Sequence, residues 1–271
     1  MVHNRDKRII NVIYNYNSPS KKTYSILTEK LKKKGFIIPE KYDEKAELNI
    51  CIGGDGAFLR AIHRFKFPNI PFIGINTGHL GFFQEILPEN IDDFIEKYIN
   101  EDYMIEEIFL VKASVTTKEK SFQLYGVNEM VIKGIRSKVV HLEVFIDGNH
   151  LESFCGDGII ISTPAGSTAY NFSSGGSIIY PSLKTLQITP LSPISSRAYR
   201  SLPNSTVVPG EIPITIKPEY RYENSILIVV DGFEIKYDNL TEITFTVPSK
   251  TISRLNFDKN MYWNNLKSKF L

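Results

Sequence analysis

Leu48-Asn49-Ile50-Cys51-Ile52-Gly53-Gly54-Asp55-Gly56-Ala57-Phe58-Leu59 decides how the first half of the chain is read. Leu48 to Ile52 is a short apolar run of the kind that fills a buried strand. Glycines then cluster at Gly53, Gly54 and Gly56. From Ala57 to Phe65 apolar residues return at helical spacing. The order is strand, glycine turn, helix. The same alternation extends outward. Arg8 to Tyr14 is an Ile- and Val-rich run that predicts a strand. Ser18-Pro19 predicts a helix N-terminus, with Pro19 at its first position. Lys21 to Lys34 carries Ile26, Leu27 and Leu31, crowds lysines toward its end and meets Gly35, which predicts a helix and its stop. Pro71 to Ile75 predicts a third strand, and Pro88 to Ile99 a third helix. This βαβαβα order predicts a mostly parallel sheet covered by helices.

The pattern changes near residue 103. Phe109–Val115, Phe122–Val131, Val139–Ile146, His150–Phe154, Gly158–Ser162, Ile212–Ile216, Ile226–Val230 and Ile243–Val247 read as strands. Asp147-Gly148 and Asp231-Gly232 are tight-turn signals. The expectation is an α/β N-terminal domain over residues 1–102, a β-rich domain over 103–255, and a tail over 256–271 that packs back on the first domain as a helix.

Bulk properties narrow the class. The chain has 271 residues, 42% of them hydrophobic and 23% charged. Those proportions fit a globular protein and argue against a disordered or collagen-like one. The 32 basic and 30 acidic residues nearly cancel, so there is no global drive toward nucleic acid or a membrane surface. The two cysteines, Cys51 and Cys155, are too few for a disulfide framework, and two thiols do not complete a structural zinc site. Charged residues precede a short apolar stretch at the start, with no secretory h-region. No segment has the apolar length of a bilayer span. The expected location is the cytoplasm.

Chemistry concentrates at the turns. Gly53-Gly54-Asp55-Gly56 stands where a strand ends and a helix begins. Glycines there admit close approach to a ligand, and free amides beside a helix N-terminus suit phosphate. The loop lacks the lysine of a Walker A loop and the third glycine of a dinucleotide fingerprint. The competing structural reading is a tight turn with Asp55 capping its helix. Asn76-Thr77-Gly78-His79-Leu80-Gly81-Phe82-Phe83 ends the next strand, so a parallel sheet brings it to the same edge. One of its two phenylalanines is expected in the core. Asn128-Glu129 interrupts an apolar run. A buried amide and carboxylate need partners, either fixed ones or a ligand. Neighbours on a strand face opposite ways, so both reach one ligand only at a bulge or a strand end. Gly156-Asp157-Gly158 leads to Thr163-Pro164-Ala165-Gly166-Ser167-Thr168-Ala169-Tyr170-Asn171, a run of small hydroxyl residues with a ring and an amide. It is not the G-x-S-x-G elbow of a hydrolase. Gly175-Gly176 follows.

These motifs, in this order over roughly residues 48–235, resemble those of the NAD kinase family. The Gly-Gly-Asp-Gly loop alone is shared with diacylglycerol and sphingosine kinases and phosphofructokinases. Its combination with Thr163–Asn171 is specific. The resemblance implies an α/β N-terminal domain joined to a β-rich one. It implies transfer of the ATP γ-phosphoryl group to the 2′-hydroxyl of the adenosine ribose of NAD, with a divalent cation, Mg²⁺, and self-association as a homodimer or homotetramer. It implies that Asp55 meets the reacting hydroxyl and that Gly53, Gly54 and Gly56 form the phosphate loop. By the same resemblance Gly56, Phe82, Asn128, Glu129, Asp157, Thr168, Ala169, Tyr170, Ser173 and Asp231 surround the dinucleotide. The protein ligands of the metal are not implied.

Two positions depart from the family pattern. Ala57 stands where threonine is usual, and Cys155 stands where several relatives carry arginine. Two further readings share parts of the pattern. A lipid kinase has the same glycine loop but calls for an apolar entrance or a basic amphipathic helix, and neither is visible. A non-catalytic dinucleotide sensor would bind NAD without turnover, against which stands an intact Asp55.

Overall fold

The computed structural model describes residues 8–79, 81–195, 200–219 and 225–271. The leading residues 1–7 and Leu80 of the second glycine loop lie outside the described residues. The chain divides into two compact units, one comprising residues up to Glu107 together with Ile252–Leu271, the other Ile108–Thr251.

The first unit is built on a five-stranded sheet of order β1-β2-β3-β17-β4. Its strands are β1 (Ile10–Tyr14), β2 (Leu48–Gly53), β3 (Phe72–Asn76), β4 (Met104–Phe109) and β17 (Thr251–Asn256). β1 pairs parallel with β2, β2 with β3, and β3 with β17. The α/β alternation of the sequence therefore produces a mostly parallel sheet. Helix α1 (Ser18–Lys33) starts one residue before the N-terminus read at Ser18-Pro19: Asn17 is the N-cap, accepting the amide of Ser20 at 2.9 Å, and Pro19 is the second helical residue. Pro19 fits the first turn, where its missing N–H has no partner to lose. α1 buries Leu27 and Leu31, and α3 (Ile91–Ile99) buries Phe94 and Ile95, in one cluster with Ile50, Ile52, Ile73 and Ile75. α2 (Asp55–Arg64) sets Phe58 against Phe72 and Phe83. The chain closes with α5 (Met261–Phe270).

The second unit contains two antiparallel six-stranded sheets, of orders β12-β11-β10-β7-β14-β15 and β6-β5-β16-β13-β8-β9. The first is formed by β7 (Glu129–Gly134), β10 (Gly158–Ser162), β11 (Thr185–Leu191), β12 (Thr206–Pro209), β14 (Ile226–Val230) and β15 (Phe233–Lys236). The second is formed by β5 (Val111–Thr117), β6 (Ser121–Gly126), β8 (Val140–Ile146), β9 (Asn149–Gly156), β13 (Ile214–Pro218) and β16 (Leu240–Thr246). Inward side chains of both sheets, among them Met130, Ile161, Ile228, Val144, Ile216 and Phe245, meet in one core, as face-to-face sheet packing requires. Both Asp-Gly signals are hairpin turns. Asp147 and Gly148 take φ of 51° and 75°, and Asp231 and Gly232 take 47° and 88°. Two positive φ values match the right-handed twist of the flanking strands.

Five strands fall outside the sequence reading: β4, β11, β12, β15 and β17. The strand read as 122–131 is two strands, broken at Val127 and Asn128. That break puts Glu129 at the first position of β7.

Candidate active-site residues

In the first unit, Gly53 and Asn76 end adjacent parallel strands, so both glycine-containing loops leave the carboxyl edge of the sheet. Open α/β sheets take ligands at that edge. Gly53 has no room for a side chain: a Cβ there would sit 2.6 Å from the Ala57 methyl and 3.0 Å from Asn15 Nδ2. Gly54 is the N-cap of α2 and offers no side-chain acceptor to the first-turn amides. The Ala57 amide donates back to the Gly54 carbonyl at 2.8 Å, which leaves the Asp55 and Gly56 amides as the donors suited to an external anion.

Asp55 lies inside the first turn of α2, where the helix dipole favours its charge. Its carboxylate reaches the second loop. Oδ2 accepts the amide of Phe82 at 2.9 Å and Oδ1 the amide of Phe83 at 3.0 Å. Each oxygen retains further acceptor capacity. Gly81 is required by this arrangement, since a Cβ there would land on the Asp55 carboxylate. The two phenylalanines part company. Phe83 is core, stacked on Phe58 at 5.0 Å. Phe82 is half-buried beside Tyr262 and Phe270, with the Lys269 ammonium 5.1 Å from its ring centre. Gln84 ties the two loops together by donating to the Gly54 carbonyl at 3.0 Å.

In the second unit, the sequence candidates gather around the break between β6 and β7. Asp231, in the β14–β15 turn, accepts three backbone amides: Val127 at 2.7 Å, Asn128 at 2.7 Å and Glu129 at 3.2 Å. The Thr163 hydroxyl donates to the Val127 carbonyl at 2.6 Å and accepts the amide of Gly166 at 3.1 Å. A Cβ on Gly166 would overlap the Asn128 carbonyl. The Thr163–Gly166 turn is thereby pressed onto the Asn128 backbone. The side chains this scaffold presents are unusual. Asn128 and Glu129 are buried, yet among the described residues Asn128 Oδ1 and Glu129 Oε2 find no hydrogen-bond partner. Burial, with the Asp231 charge added, pushes the Glu129 carboxyl up to about 8.

Thr168 is buried with its hydroxyl on the Ala165 carbonyl, and Ala169 caps the short helix α4 (Tyr170–Ser173). Ser173 is exposed and donates to the Tyr170 carbonyl. Asn171, between them, is fully buried and bonded to Gln187 and Thr189. Asp157 and Tyr170 line one cavity of about 480 Å³ with Lys133, Arg136, Lys138 and Lys236. The structure therefore brings together Asp55 with Phe82, Asn128 with Glu129 and Asp231, and Asp157 with Tyr170.

Sequence reasoning missed several residues around Asp55. Arg60, one helical turn beyond Gly56, donates to Asn15 Oδ1 at 2.8 Å, and a Cβ on Gly56 would lie 3.3 Å from its guanidinium. The i to i+4 spacing was the available signal. Arg254 and Asn265, which bond to Phe82 and Gly81, gave no local signal.

Comparison with known proteins agrees with both units. Residues 11–103 match the family model of the ATP-NAD kinase N-terminal domain, and residues 127–250 that of the ATP-NAD kinase C-terminal domain. An NAD kinase of Finegoldia magna is 50% identical, covering 99% of this chain and 100% of that one. An NAD kinase of Lactobacillus acidophilus is 33% identical over 97% of both chains. Among solved structures, a yeast NADH kinase complexed with NADH aligns with a TM-score of 0.85 at 20% identity, over 97% of this chain and 87% of that one. An Archaeoglobus fulgidus NAD kinase in complex with ATP aligns at 0.77 and 24% identity, over 96% and 99%. With both family models matched and half of its residues shared with a full-length relative, the chain belongs to the NAD kinase family.

Proposed function

We propose that Asp55 orients the 2′-hydroxyl of the adenosine ribose of NAD for attack on the γ-phosphorus of ATP, giving NADP and ADP. The new bond joins the ribose oxygen to phosphorus. The bond between phosphorus and the β–γ bridging oxygen breaks, and ADP leaves. The hydroxyl proton passes to a free lone pair of the Asp55 carboxylate and on to solvent. Phosphoryl transfer has a loose transition state, so the proton moves late and orientation dominates. The observation that carries this reading is the fixation of Asp55: two backbone amides hold both carboxylate oxygens beside the glycine loop. The phosphates of ATP lie against Gly53, Gly54 and Gly56 and the first-turn amides of α2, with Arg60 as a flanking cation.

NAD is held by Asn128 and Glu129, whose unpartnered oxygens accept from ribose hydroxyls or the adenine amino group. Asp157, Thr168, Ala169, Tyr170 and Ser173 complete the dinucleotide surface, and Phe82 offers a ring edge. Asp231 contributes by holding the 127–129 backbone. Among the described residues, no group of three or more His, Cys, Asp or Glu side chains is arranged to hold a metal ion. The donor set does not fit a resident metal. Mg²⁺ would enter as the companion of the triphosphate and would offset the charge of its phosphates. Among the described residues, no helix is long and apolar enough to cross a membrane. The reading includes a cytoplasmic enzyme that self-associates as a homodimer or homotetramer, which sedimentation velocity measures directly.

The test is a coupled assay for NADP formed from NAD, ATP and Mg²⁺, with Asp55→Asn as control and a parallel reaction containing polyphosphate. NADP made by the wild type and lost in the control supports the reading. Binding of NAD without NADP from either donor would favour a sensor.

A further inference from the structure

The two peptide groups that hold Asp55 are themselves held, on their opposite faces, by residues near the end of the chain. The peptide between Gly81 and Phe82 donates its N–H to Asp55 Oδ2, and its carbonyl accepts Asn265 Nδ2 at 2.9 Å. The peptide between Phe82 and Phe83 donates its N–H to Asp55 Oδ1, and its carbonyl accepts Arg254 Nη1 at 2.6 Å. A peptide group is planar, so fixing its carbonyl fixes the direction of its N–H. A donor on the carbonyl also polarises the group and strengthens the bond on the other side. Each peptide is thus a rigid relay from the C-terminal segment to the Asp55 carboxylate.

The relays are built into a buried frame. Asn265 is 9% exposed and Arg254 7%. Arg254 is ion-paired with Glu106. Glu85, which follows the loop, accepts the amides of Phe257 at 2.7 Å and Asp258 at 2.8 Å through one oxygen. Residues 254–265 therefore hold the loop at the Gly81 and Phe82 carbonyls and again just beyond it at Glu85. Gly81 lets the Asp55 carboxylate lie against its Cα.

From this geometry we infer that Asn265 and Arg254 are positioning residues for Asp55, acting through the Gly81–Phe82 and Phe82–Phe83 peptide groups. The C-terminal strand and helix are in this sense part of the catalytic centre. The inference rests on the reading of Asp55 given above. Losing one relay leaves Asp55 chemically intact and misdirected, and misplacement of a reacting group by ~1 Å costs as much as about 100-fold in rate. Phe82 offers NAD only a ring edge and the other substrate contacts lie elsewhere, so the effect falls chiefly on kcat.

The test compares Asn265→Leu, which keeps the size and removes the donor, with Met261→Ala on the same helix. Met261 is buried and makes no bond to the loop, so its truncation loosens α5 without cutting a relay. Asn265→Ala serves if the leucine variant folds poorly. Steady-state kcat and KM for NAD, melting temperature, and hydrogen exchange at the Phe82 and Phe83 amides are read on each. The expected result is a kcat about 10- to 100-fold lower for Asn265→Leu, KM within twofold, and faster exchange at Phe82. Met261→Ala is expected to lower the melting temperature with kcat nearly unchanged. A normal kcat in Asn265→Leu, or losses of kcat in both variants that follow their melting temperatures, overturns the inference. If Asp55→Asn turns over normally, the underlying reading fails and the inference with it. An inactive Asp55→Asn beside a fully active Asn265→Leu overturns the inference alone.

Discussion

Asp231 Oδ1 accepts the backbone amide of Asn128 at 2.7 Å, across 103 positions of sequence. The same carboxylate takes the amides of Val127 and Glu129. Two hairpin elements are locked together at the point where a strand opens to present Asn128 and Glu129. Asp231 also occupies a positive-φ turn position at 47°, which Asn tolerates and Ala does not. Asp231→Ala should lose these charge-assisted bonds and strain the turn together, costing ~2 kcal/mol or more by urea unfolding. KM for NAD should rise because the 127–129 backbone is released. Asp231→Asn should be milder in both measurements.

Asp55→Asn should lower kcat by about 10²- to 10⁴-fold with a modest change in KM for NAD, as expected for loss of general-base help. The substitution has a second consequence. One Oδ becomes an NH₂ facing a backbone amide, so only one of the Phe82 and Phe83 bonds survives. Amide exchange at Phe82 and Phe83 separates loss of the base from movement of the loop. Undiminished kcat would remove Asp55 from the mechanism.

Gly81→Ala should fold and turn over slowly, since the added methyl lands on the Asp55 carboxylate and pushes it from the loop amides. A loss of kcat of at least about tenfold is expected, with NAD affinity little changed by calorimetry. An active Gly81→Ala enzyme would mean that the Asp55–loop contact is dispensable.

Glu129→Gln should raise KM for NAD more than it lowers kcat, as expected for a binding residue. It should also change stability against pH in a defined direction. The Glu129 carboxyl sits at about 8 in the fold, raised by burial and the Asp231 charge from an ordinary value of 4.5. Between those values the unfolded chain ionises while the fold keeps its proton. The wild type therefore loses stability as pH rises from about 4.5 to about 8, and levels off above. Glu129→Gln should raise the melting temperature at pH 8.5, and the gain should vanish at pH 4. Melting curves across that range, in the absence of NAD, check the sign.

The βαβ alternation of the first half was legible because it depends on local rules: runs of Ile and Val, proline at a helix start, glycine at a helix end. The loops at Gly53–Gly56 and Gly81–Phe83 were legible as candidate sites, because glycines cluster where parallel strands end at the carboxyl edge of the sheet. The Asn128-Glu129 pair was legible as a conflict, a polar pair in an apolar run. Its resolution, a break that starts β7 at Glu129, depends on the Asp231 carboxylate about a hundred residues away. The strands β4, β11, β12, β15 and β17 were not legible. Thr185–Leu191 contains Gln187 and Thr189, which are buried with partners in Asn171 and the Ser177 carbonyl. Thr206–Pro209 is too short to show a period, and Thr251–Asn256 carries Arg254 in its middle.

Sequence alone determined the class of fold, the candidate loops and the family, because periodicity, turn residues and motif order are properties of neighbouring positions. Tertiary structure decided what holds those loops. It set β17 beside β3, aimed two peptide groups at Asp55 from Asn265 and Arg254, and left Asn128 and Glu129 with unfilled acceptors. The reason is physical. A hydrogen bond between residues a hundred or more positions apart has no local propensity to announce it, and it exists only once the sheet has brought its two ends together.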